Sequence, residues 1–161
     1  MSNNLGKIVS IKEIAGFKCG NFGAKNGSNG SQMGMSAMLN ALCGYGEYDG
    51  YEVKTNIHNF LILISNGQCC CESWGYFTSE DNTDVFIGKT LVDVELTDKA
   101  LNTKKVEESD YYADEGGIQF VNFKFSDGAV LQFAVYNSHN GYYGHPIIVA
   151  KDTEILIEDT L

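Results

Sequence analysis

Residues 118–137 read IQFVNFKFSDGAVLQFAVYN, and this stretch decides the fold. The segments 118–125 and 129–137 are rich in apolar, aromatic and β-branched residues, which favour strands. The three residues SDG between them form a turn sequence. Because so short a connection joins antiparallel neighbours, the stretch is predicted to be a β-hairpin.

The same pattern continues on both sides of this hairpin. His139, Asn140 and Gly141 predict a further turn, after which residues 142–150 and 153–158 read as strands. The C-terminal third is therefore expected to be a meander of antiparallel strands. Two upstream segments are also predicted to be strands, residues 53–65 and residues 90–97.

One segment breaks the β pattern. Residues 20–34 are rich in glycine and asparagine, and four apolar residues at helical spacing follow, namely Met35, Met38, Leu39 and Leu42. We predict an amphipathic helix there, inside a Gly- and Met-rich insertion at residues 22–51. Residues 7–17 fit either element, since their apolar residues stand three apart while β-branched side chains and Gly16 favour a strand.

The predicted fold class is therefore α+β and mostly β. We expect an antiparallel sheet or a partly open barrel, with a C-terminal meander and one amphipathic helix. A length of 161 residues is usual for one domain, and the sequence contains no internal repeat. The prediction is a single domain over residues 1–161.

The charge of the chain makes some functions unfavourable. It has 21 acidic and 11 basic residues, a net charge of −10, and no arginine among its bases. A negative surface repels nucleic acid, and arginine is the usual ligand of phosphate and guanine. Direct binding of nucleic acid is therefore not expected. An acidic surface suits a basic protein partner, or serves solubility alone.

The sequence predicts a cytoplasmic protein. No segment approaches the roughly 20 apolar residues of a membrane helix, and residues 1–7 lack the apolar core of a signal peptide. Five cysteines, three of them adjacent, make a poor disulfide framework and fit a reducing compartment. No membrane contact is expected, and homo-oligomer formation stays open.

Cys69, Cys70 and Cys71 form the most unusual string of the sequence. Thiolates suit metal binding or nucleophilic catalysis. Three histidines could complete either kind of site, His58, His139 and His145. Adjacent residues of a strand face opposite sides, however, and no histidine stands at a usual ligand spacing. We predict no metal site, no cofactor and no catalytic residue; the alternative is a thiol- or metal-dependent hydrolase centred on Cys70, Cys71 and a histidine.

Two strings resemble those of a family of small uncharacterised proteins from phages and their bacterial hosts, known as a domain of unknown function. The first is Cys70-Cys71-Glu72-Ser73, followed by acidic residues and Ile87-Gly88-Lys89. The second is a pair of aromatic strands joined at Gly128 and followed by Asn140-Gly141-Tyr142-Tyr143. The resemblance covers residues 53–149 and leaves out Cys69 and the insertion. It implies a phage-type accessory protein that acts inside a bacterium, and it implies no catalytic residue.

Aromatic and amide side chains are dense between Tyr136 and Tyr143. Recognition surfaces use such residues for contact area and adaptable hydrogen bonds, although a turn flanked by cross-strand tyrosines would have the same composition. We predict that the following residues bind a ligand or partner: Glu72, Trp74, Tyr136, Asn137, His139, Asn140, Tyr142 and Tyr143.

The predicted function is that of a non-enzymatic accessory protein that inhibits a host factor, such as a defence component. It would do so by covering a protein surface or by trapping a small nucleotide-like signalling molecule. The missing arginine weakens nucleotide capture, and the acidity favours covering a basic protein. A structural phage protein is a further alternative.

Overall fold

The computed structural model describes residues 3–18, 46–113 and 115–161. Within these ranges the chain is mostly β, and its strands form two antiparallel sheets packed face to face. This confirms the predicted class. The strands are β1 (Ile8–Lys18), β2 (Glu47–Thr55), β3 (Asn59–Ser65), β4 (Ser73–Thr78), β5 (Leu91–Thr97), β6 (Glu115–Phe125), β7 (Val130–His139), β8 (Pro146–Lys151) and β9 (Glu154–Thr160). A 3-10 turn at Thr83–Phe86 and a short helix, α1 (Thr103–Glu108), complete the described elements.

The first sheet has the strand order β1-β2-β3-β8-β9, and the second has the order β4-β7-β6-β5. Residues near the start of β1 also hydrogen-bond to the chain before β5. The Leu5 amide donates to the Leu91 carbonyl at 2.9 Å, and the Ile8 amide donates to the Lys89 carbonyl at 3.0 Å. This junction links the two sheets at one corner without closing them into a barrel.

The predicted hairpin at residues 118–137 is present as β6 and β7, paired from Glu115↔His139 to Lys124↔Val130. The next two strands are present as well, but β7 and β8 are not neighbours. Instead β8 pairs with β3 and β9 in the first sheet. The chain therefore crosses from one sheet to the other between His139 and Pro146, and the predicted meander is divided between the two layers. Facing sheets lie about 10 Å apart, which a six-residue connection spans easily.

Several upstream predictions are refined by the structure. The segment predicted as one strand, residues 53–65, belongs to the β2–β3 hairpin, whose turn lies at residues 56–58. Residues 47–51, placed in the insertion by the sequence, belong to β2 and pair with β1. The ambiguous residues 7–17 form the strand β1. The predicted helix at residues 35–42 lies outside the described residues.

The core between the sheets is strongly aromatic. Phe123 of β6 makes edge-to-face contacts with Phe60 of β3 at 5.2 Å and with Phe133 of β7 at 4.9 Å, and Tyr51 of β2 contacts Phe133 at 5.1 Å. All four side chains are buried. Burial of one such side chain contributes roughly 1.5–3 kcal/mol, so this aromatic layer holds the two sheets together.

Residues 99–115 are charged and read as an exposed loop, but residues 99–113 pack on the outer face of the second sheet. Gln132 of β7 accepts the Leu101 amide at 2.7 Å and donates to the Lys99 carbonyl at 3.0 Å. The ring of Tyr111 lies 6.0 Å from that of Tyr136. This cover buries residues of β7 that the sequence pattern places on an outer surface. No helix in the described ranges is long and apolar enough to span a membrane.

Candidate functional site

Two loops meet at one end of the sandwich. Residues 66–72, which we name the Cys loop, connect β3 to β4, and residues 140–145, which we name the Tyr loop, connect β7 to β8. The loops adjoin because β3 pairs with β8 in one sheet while β4 pairs with β7 in the other. Each sheet therefore contributes one end of each loop to the same edge.

A buried acid–base pair joins the two loops. Glu72 Oε1 of the Cys loop lies 3.1 Å from His145 Nε2 of the Tyr loop, and the exposed fractions of the two side chains are 0% and 2%. The other ring nitrogen, Nδ1, lies 2.6 Å from the carbonyl oxygen of Ser65. Each ring nitrogen therefore faces an oxygen atom, and the ring links the Ser65 carbonyl to the Glu72 carboxylate.

The Glu72 carboxylate also fixes the backbone of the Cys loop. Its Oε1 accepts the Cys69 amide at 2.6 Å and its Oε2 accepts the Cys70 amide at 2.8 Å. Burial alone would raise the pKa of Glu72, but hydrogen bonds from the Cys69 amide, the His145 ring and the Cys70 amide outweigh it. They lower the pKa from 4.5 to about 2. The carboxylate is therefore ionised at neutral pH and links the Cys loop to the Tyr loop.

Trp74, the single tryptophan of the chain, covers this pair. Its indole stacks on the His145 ring, with centroids 5.5 Å apart and planes inclined by 24°. Its Nε1 donates to Gln68 Oε1 at 2.7 Å, and Gln68 Nε2 donates to the Glu72 carbonyl at 2.8 Å. The stack and the two hydrogen bonds make Trp74 a natural spectroscopic probe of the Glu72–His145 pair.

Asn137 at the end of β7 anchors the Tyr loop. The residue is fully buried, and its Nδ2 donates to the carbonyl oxygens of Tyr143 and Leu161, each at 2.8 Å. His145 and Leu161 exchange two backbone hydrogen bonds of 2.8 and 3.0 Å. Both flanks of the Tyr loop are thus fixed by hydrogen bonds, while its tip stays open to solvent.

The predicted binding residues of the Tyr loop lie at the surface. Tyr142 is 85% exposed and Asn140 is exposed, whereas Tyr143 is half-buried. His139 Nδ1 accepts the Gly141 amide at 2.9 Å and so shapes the turn. Hydrogen bonding to the Cys70 thiol raises the pKa of the Tyr143 hydroxyl.

Three other predicted binding residues are buried, and this corrects the expectation of direct contact. Tyr136 is 6% exposed and Asn137 is 0% exposed, and Glu72 is sealed in its pair with His145. Tyr136 packs against the rings of Phe77 and Tyr111. These residues occupy supporting positions beneath the surface formed by Tyr142 and its neighbours. Trp74 is intermediate between the exposed and the buried predicted residues, because it is half-buried and stacks on His145.

The central residue missing from the predicted set is His145. The sequence places it among the candidate metal or thiol partners. Its carboxylate partner lies 73 residues away, so no spacing pattern connects the two. Both nitrogens of its ring are engaged by oxygen, so the ring offers no free nitrogen to a thiol. Among the described residues no group of three metal-binding side chains converges. His58 lies at the other end of β3, 2.6 Å from Asp152.

The lowered pKa of Glu72 predicts a loss of stability in acid. The folded protein holds this carboxylate at a pKa of about 2 against 4.5 ordinarily, so its stabilising contribution is complete above about pH 4.5 and disappears as the pH falls toward about 2. Urea unfolding at about pH 6 and about pH 3 should show this decrease. In a Glu72→Gln variant the decrease should be smaller, because the remaining carboxylates alone contribute. Equal pH dependence of both proteins would contradict the assignment.

The fold consists of two facing antiparallel sheets, and a buried Glu72–His145 pair joins two loops at one end of it. The chain belongs to the family of a domain of unknown function, DUF7448, whose model matches residues 3–149. That range is wider than the residues 53–149 over which the sequence alone shows a resemblance. An uncharacterized protein of Acanthamoeba polyphaga mimivirus is 31% identical over 85 residues, which are 52% of this chain and 63% of that protein. The match thus spans less than two thirds of that relative. No solved structure matches the chain.

Proposed function

We propose that this chain is a non-enzymatic accessory protein that inhibits a host factor by covering a protein surface, and that the Tyr loop is its contact surface. The observation that carries the proposal is the 85% exposure of Tyr142 on a loop held at both flanks. A large aromatic side chain on a preorganised loop offers contact area at a low cost in entropy. Asn140 and Tyr143 beside it add amide and phenol groups for hydrogen bonding.

Charge favours a basic partner. The chain has a net charge of −10, which attracts a positively charged protein and repels an acidic one. Host proteins that handle nucleic acid present such basic surfaces. The relative encoded by a virus supports a host-directed role, and inhibition of a defence component is the form of that role that we propose.

Capture of a small nucleotide-like signal is less favoured. An open groove of about 370 Å³ lies between the ends of β5 and β6, lined by Leu96, Thr97, Asp98, Ile118 and Gln119. Its charged lining residue is Asp98, which repels an anionic ligand. The exposed Tyr loop therefore supports surface covering better than this groove supports nucleotide binding.

The binding proposal is also favoured over a hydrolase. The Glu72–His145 pair is closed to solvent, and its hydrogen bonds to Ser65 and to the Cys loop amides give it a structural role. A thiol hydrolase needs a base within reach of its nucleophile, and His145 has no nitrogen left for that purpose. If alkylation of the cysteines abolished inhibition while leaving partner capture intact, the hydrolase would replace our proposal.

The proposal predicts that Tyr142→Ala loses its partner. Removing a central aromatic contact typically costs 2 kcal/mol or more in binding, which is at least about 30-fold in affinity. The test immobilises the intact chain, captures proteins from a host lysate, and measures the affinity and activity of the captured protein with the wild type and with Tyr142→Ala.

Ile57→Ala is the matched control, because Ile57 is 55% exposed in the β2–β3 turn at the opposite end of the sandwich. It should bind and inhibit like the wild type. Equal affinity of Tyr142→Ala and Ile57→Ala for the captured protein would remove the Tyr loop from consideration. Capture without inhibition would retain the contact surface and overturn the inhibitory role.

A further inference from the structure

The Cys loop presents adjacent free thiols to solvent, since Cys69, Cys70 and Cys71 are all exposed. Their backbone is held in place, because the Glu72 carboxylate accepts the Cys69 and Cys70 amides. The Cys69 thiol donates to the Gly67 carbonyl at 3.4 Å and so turns toward its own loop. The remaining two thiols are left to interact with each other.

Cys70 occupies the centre of this group. Hydrogen bonding to the Cys70 thiol is the main cause that raises the pKa of Cys71, and it also raises the pKa of the Tyr143 hydroxyl. Cys70 and Cys71 are thus exposed thiols on adjacent residues, one peptide bond apart.

We infer that Cys70 and Cys71 form a reversible modification site, in which a peroxide joins the two adjacent thiols in a disulfide. The inference goes beyond the proposed function and is independent of any partner. It rests on the exposed thiols of two adjacent residues, on a backbone fixed by a buried carboxylate. Exposure and a neighbouring resolving thiol are the features that make cysteines sensitive to oxidation.

The chemistry has two steps. The Cys70 thiolate attacks one oxygen of hydrogen peroxide, so an S–O bond forms, the O–O bond breaks, hydroxide leaves and the sulfur is oxidised by two electrons to a sulfenic acid. The Cys71 sulfur then attacks that sulfur, so the S–S bond forms and the S–O bond breaks. The two thiol protons combine with the two hydroxides. Two thiols and one peroxide thus give one disulfide and two water molecules.

The geometry of neighbouring residues makes the product easy to reduce. Consecutive Cα atoms stand about 3.8 Å apart, which is closer than the usual separation in disulfides of roughly 4.4–6.8 Å. A disulfide between adjacent cysteines is therefore strained, and strained, exposed disulfides are the ones that thiol reductants reopen. This suits a signal that is set by peroxide and erased in a reducing compartment.

The disulfide would alter the hydrogen bonding of the buried Glu72–His145 pair. Closing a ring across Cys70 and Cys71 changes the backbone of Cys70, whose amide donates to Glu72 at 2.8 Å. Glu72 in turn holds His145, on which Trp74 stacks. Oxidation should therefore change the fluorescence of Trp74, and reduction should restore it.

The test treats the intact chain with hydrogen peroxide and follows both readouts. Trypsin cleaves after lysine, so residues 55–89 form one peptide that contains Cys69, Cys70, Cys71 and Trp74 but neither of the other cysteines. This peptide should lose two hydrogen atoms in mass as the emission of Trp74 changes, and dithiothreitol should reverse both. Cys69→Ser should react like the wild type. Cys70→Ser and Cys71→Ser should form the intrapeptide disulfide at least about 10-fold more slowly.

Each other outcome would overturn the inference. Rapid disulfide formation in Cys70→Ser or in Cys71→Ser would assign the bond to Cys69 and a different partner. Stepwise addition of oxygen atoms without loss of hydrogen would show isolated thiol oxidation in place of a disulfide. An unchanged peptide mass under conditions that oxidise a control dithiol would show that the site is inert.

Discussion

Glu72→Gln should destabilise the protein by about 3–5 kcal/mol, because it removes a buried carboxylate paired with His145 and leaves some of its hydrogen-bond donors without an acceptor. The amide nitrogen that replaces one carboxylate oxygen is a donor. In place of Oε1 it would face the Cys69 amide and His145 Nε2, and in place of Oε2 it would face the Cys70 amide. Urea unfolding at neutral pH measures the loss as a change in the free energy of unfolding.

Glu107→Gln is the matched control for this change. It removes the same charge with the same change of shape, but Glu107 lies on the exposed side of α1. A surface substitution of this kind typically changes stability by no more than about 0.5 kcal/mol. If the two variants lost the same stability, the Glu72–His145 pair would have no stabilising role and the acid sensitivity predicted above would need another source.

The sequence predicts local strand pairing well in this protein. Residues 118–137 contain two strands and their turn within one short segment, and the pairing of β6 with β7 needs no distant partner. The strand at residues 90–97 is likewise visible from its alternation and is present as β5. Local alternation and turn chemistry decide such elements, so a single sequence is enough to find them.

The pairing of strands that lie far apart in the sequence could not be predicted. The turn at residues 139–141 is compatible with a hairpin, yet β8 pairs with β3, whose residues lie more than eighty positions earlier. That choice depends on which apolar faces bury each other. Ile147 and Val149 fill the space between the sheets together with Ile62 and Phe133. Such a fit is a property of the assembled core and leaves no mark in local spacing.

The candidate site likewise contains features that local sequence predicts and features that depend on the assembled fold. The exposure of Tyr142 could be predicted from the sequence, because a turn that carries tyrosine and asparagine usually projects into solvent. The burial of Tyr136 could not, since it depends on the cover by residues 99–113, which read as a charged loop. The Glu72–His145 pair could not be predicted from the sequence either, because the two residues come together only when both sheets are in place.

In both loops the anchored backbone and the exposed tip have different roles. The buried pair and Asn137 hold the backbones of the Cys loop and the Tyr loop, and the exposed tips carry the thiols and Tyr142. Rigid flanks with a chemically active tip are what a binding surface needs. Loss of either anchor should therefore loosen the surface without removing any residue that touches a partner.

Gly116→Ala should destabilise the protein by about 2–5 kcal/mol and loosen the Tyr loop. Gly116 has a φ of +95°, and a Cβ atom there would lie 2.2 Å from the carbonyl oxygen of Asn137, which is backbone and cannot turn away. Left-handed strain of about 1–2 kcal/mol adds to about 1–3 kcal/mol of steric overlap. Because Asn137 must shift, its hydrogen bond to the Tyr143 carbonyl should weaken, and amide hydrogen exchange in the Tyr loop should become faster.

Gly128→Ala separates the two causes of this effect. Gly128 lies in the turn of the same hairpin with a φ of +86°, but a Cβ atom there would meet nothing within 4 Å. It therefore suffers the strain without the overlap and should lose about 1–2 kcal/mol, with unchanged exchange in the Tyr loop. Equal losses of stability in the two variants would mean that the backbone at Asn137 can shift without an energetic cost. Asn137 would then not hold the Tyr loop. A greater loss at Gly116 together with faster exchange at Tyr142 and Tyr143 would tie the exposed surface to its buried anchor.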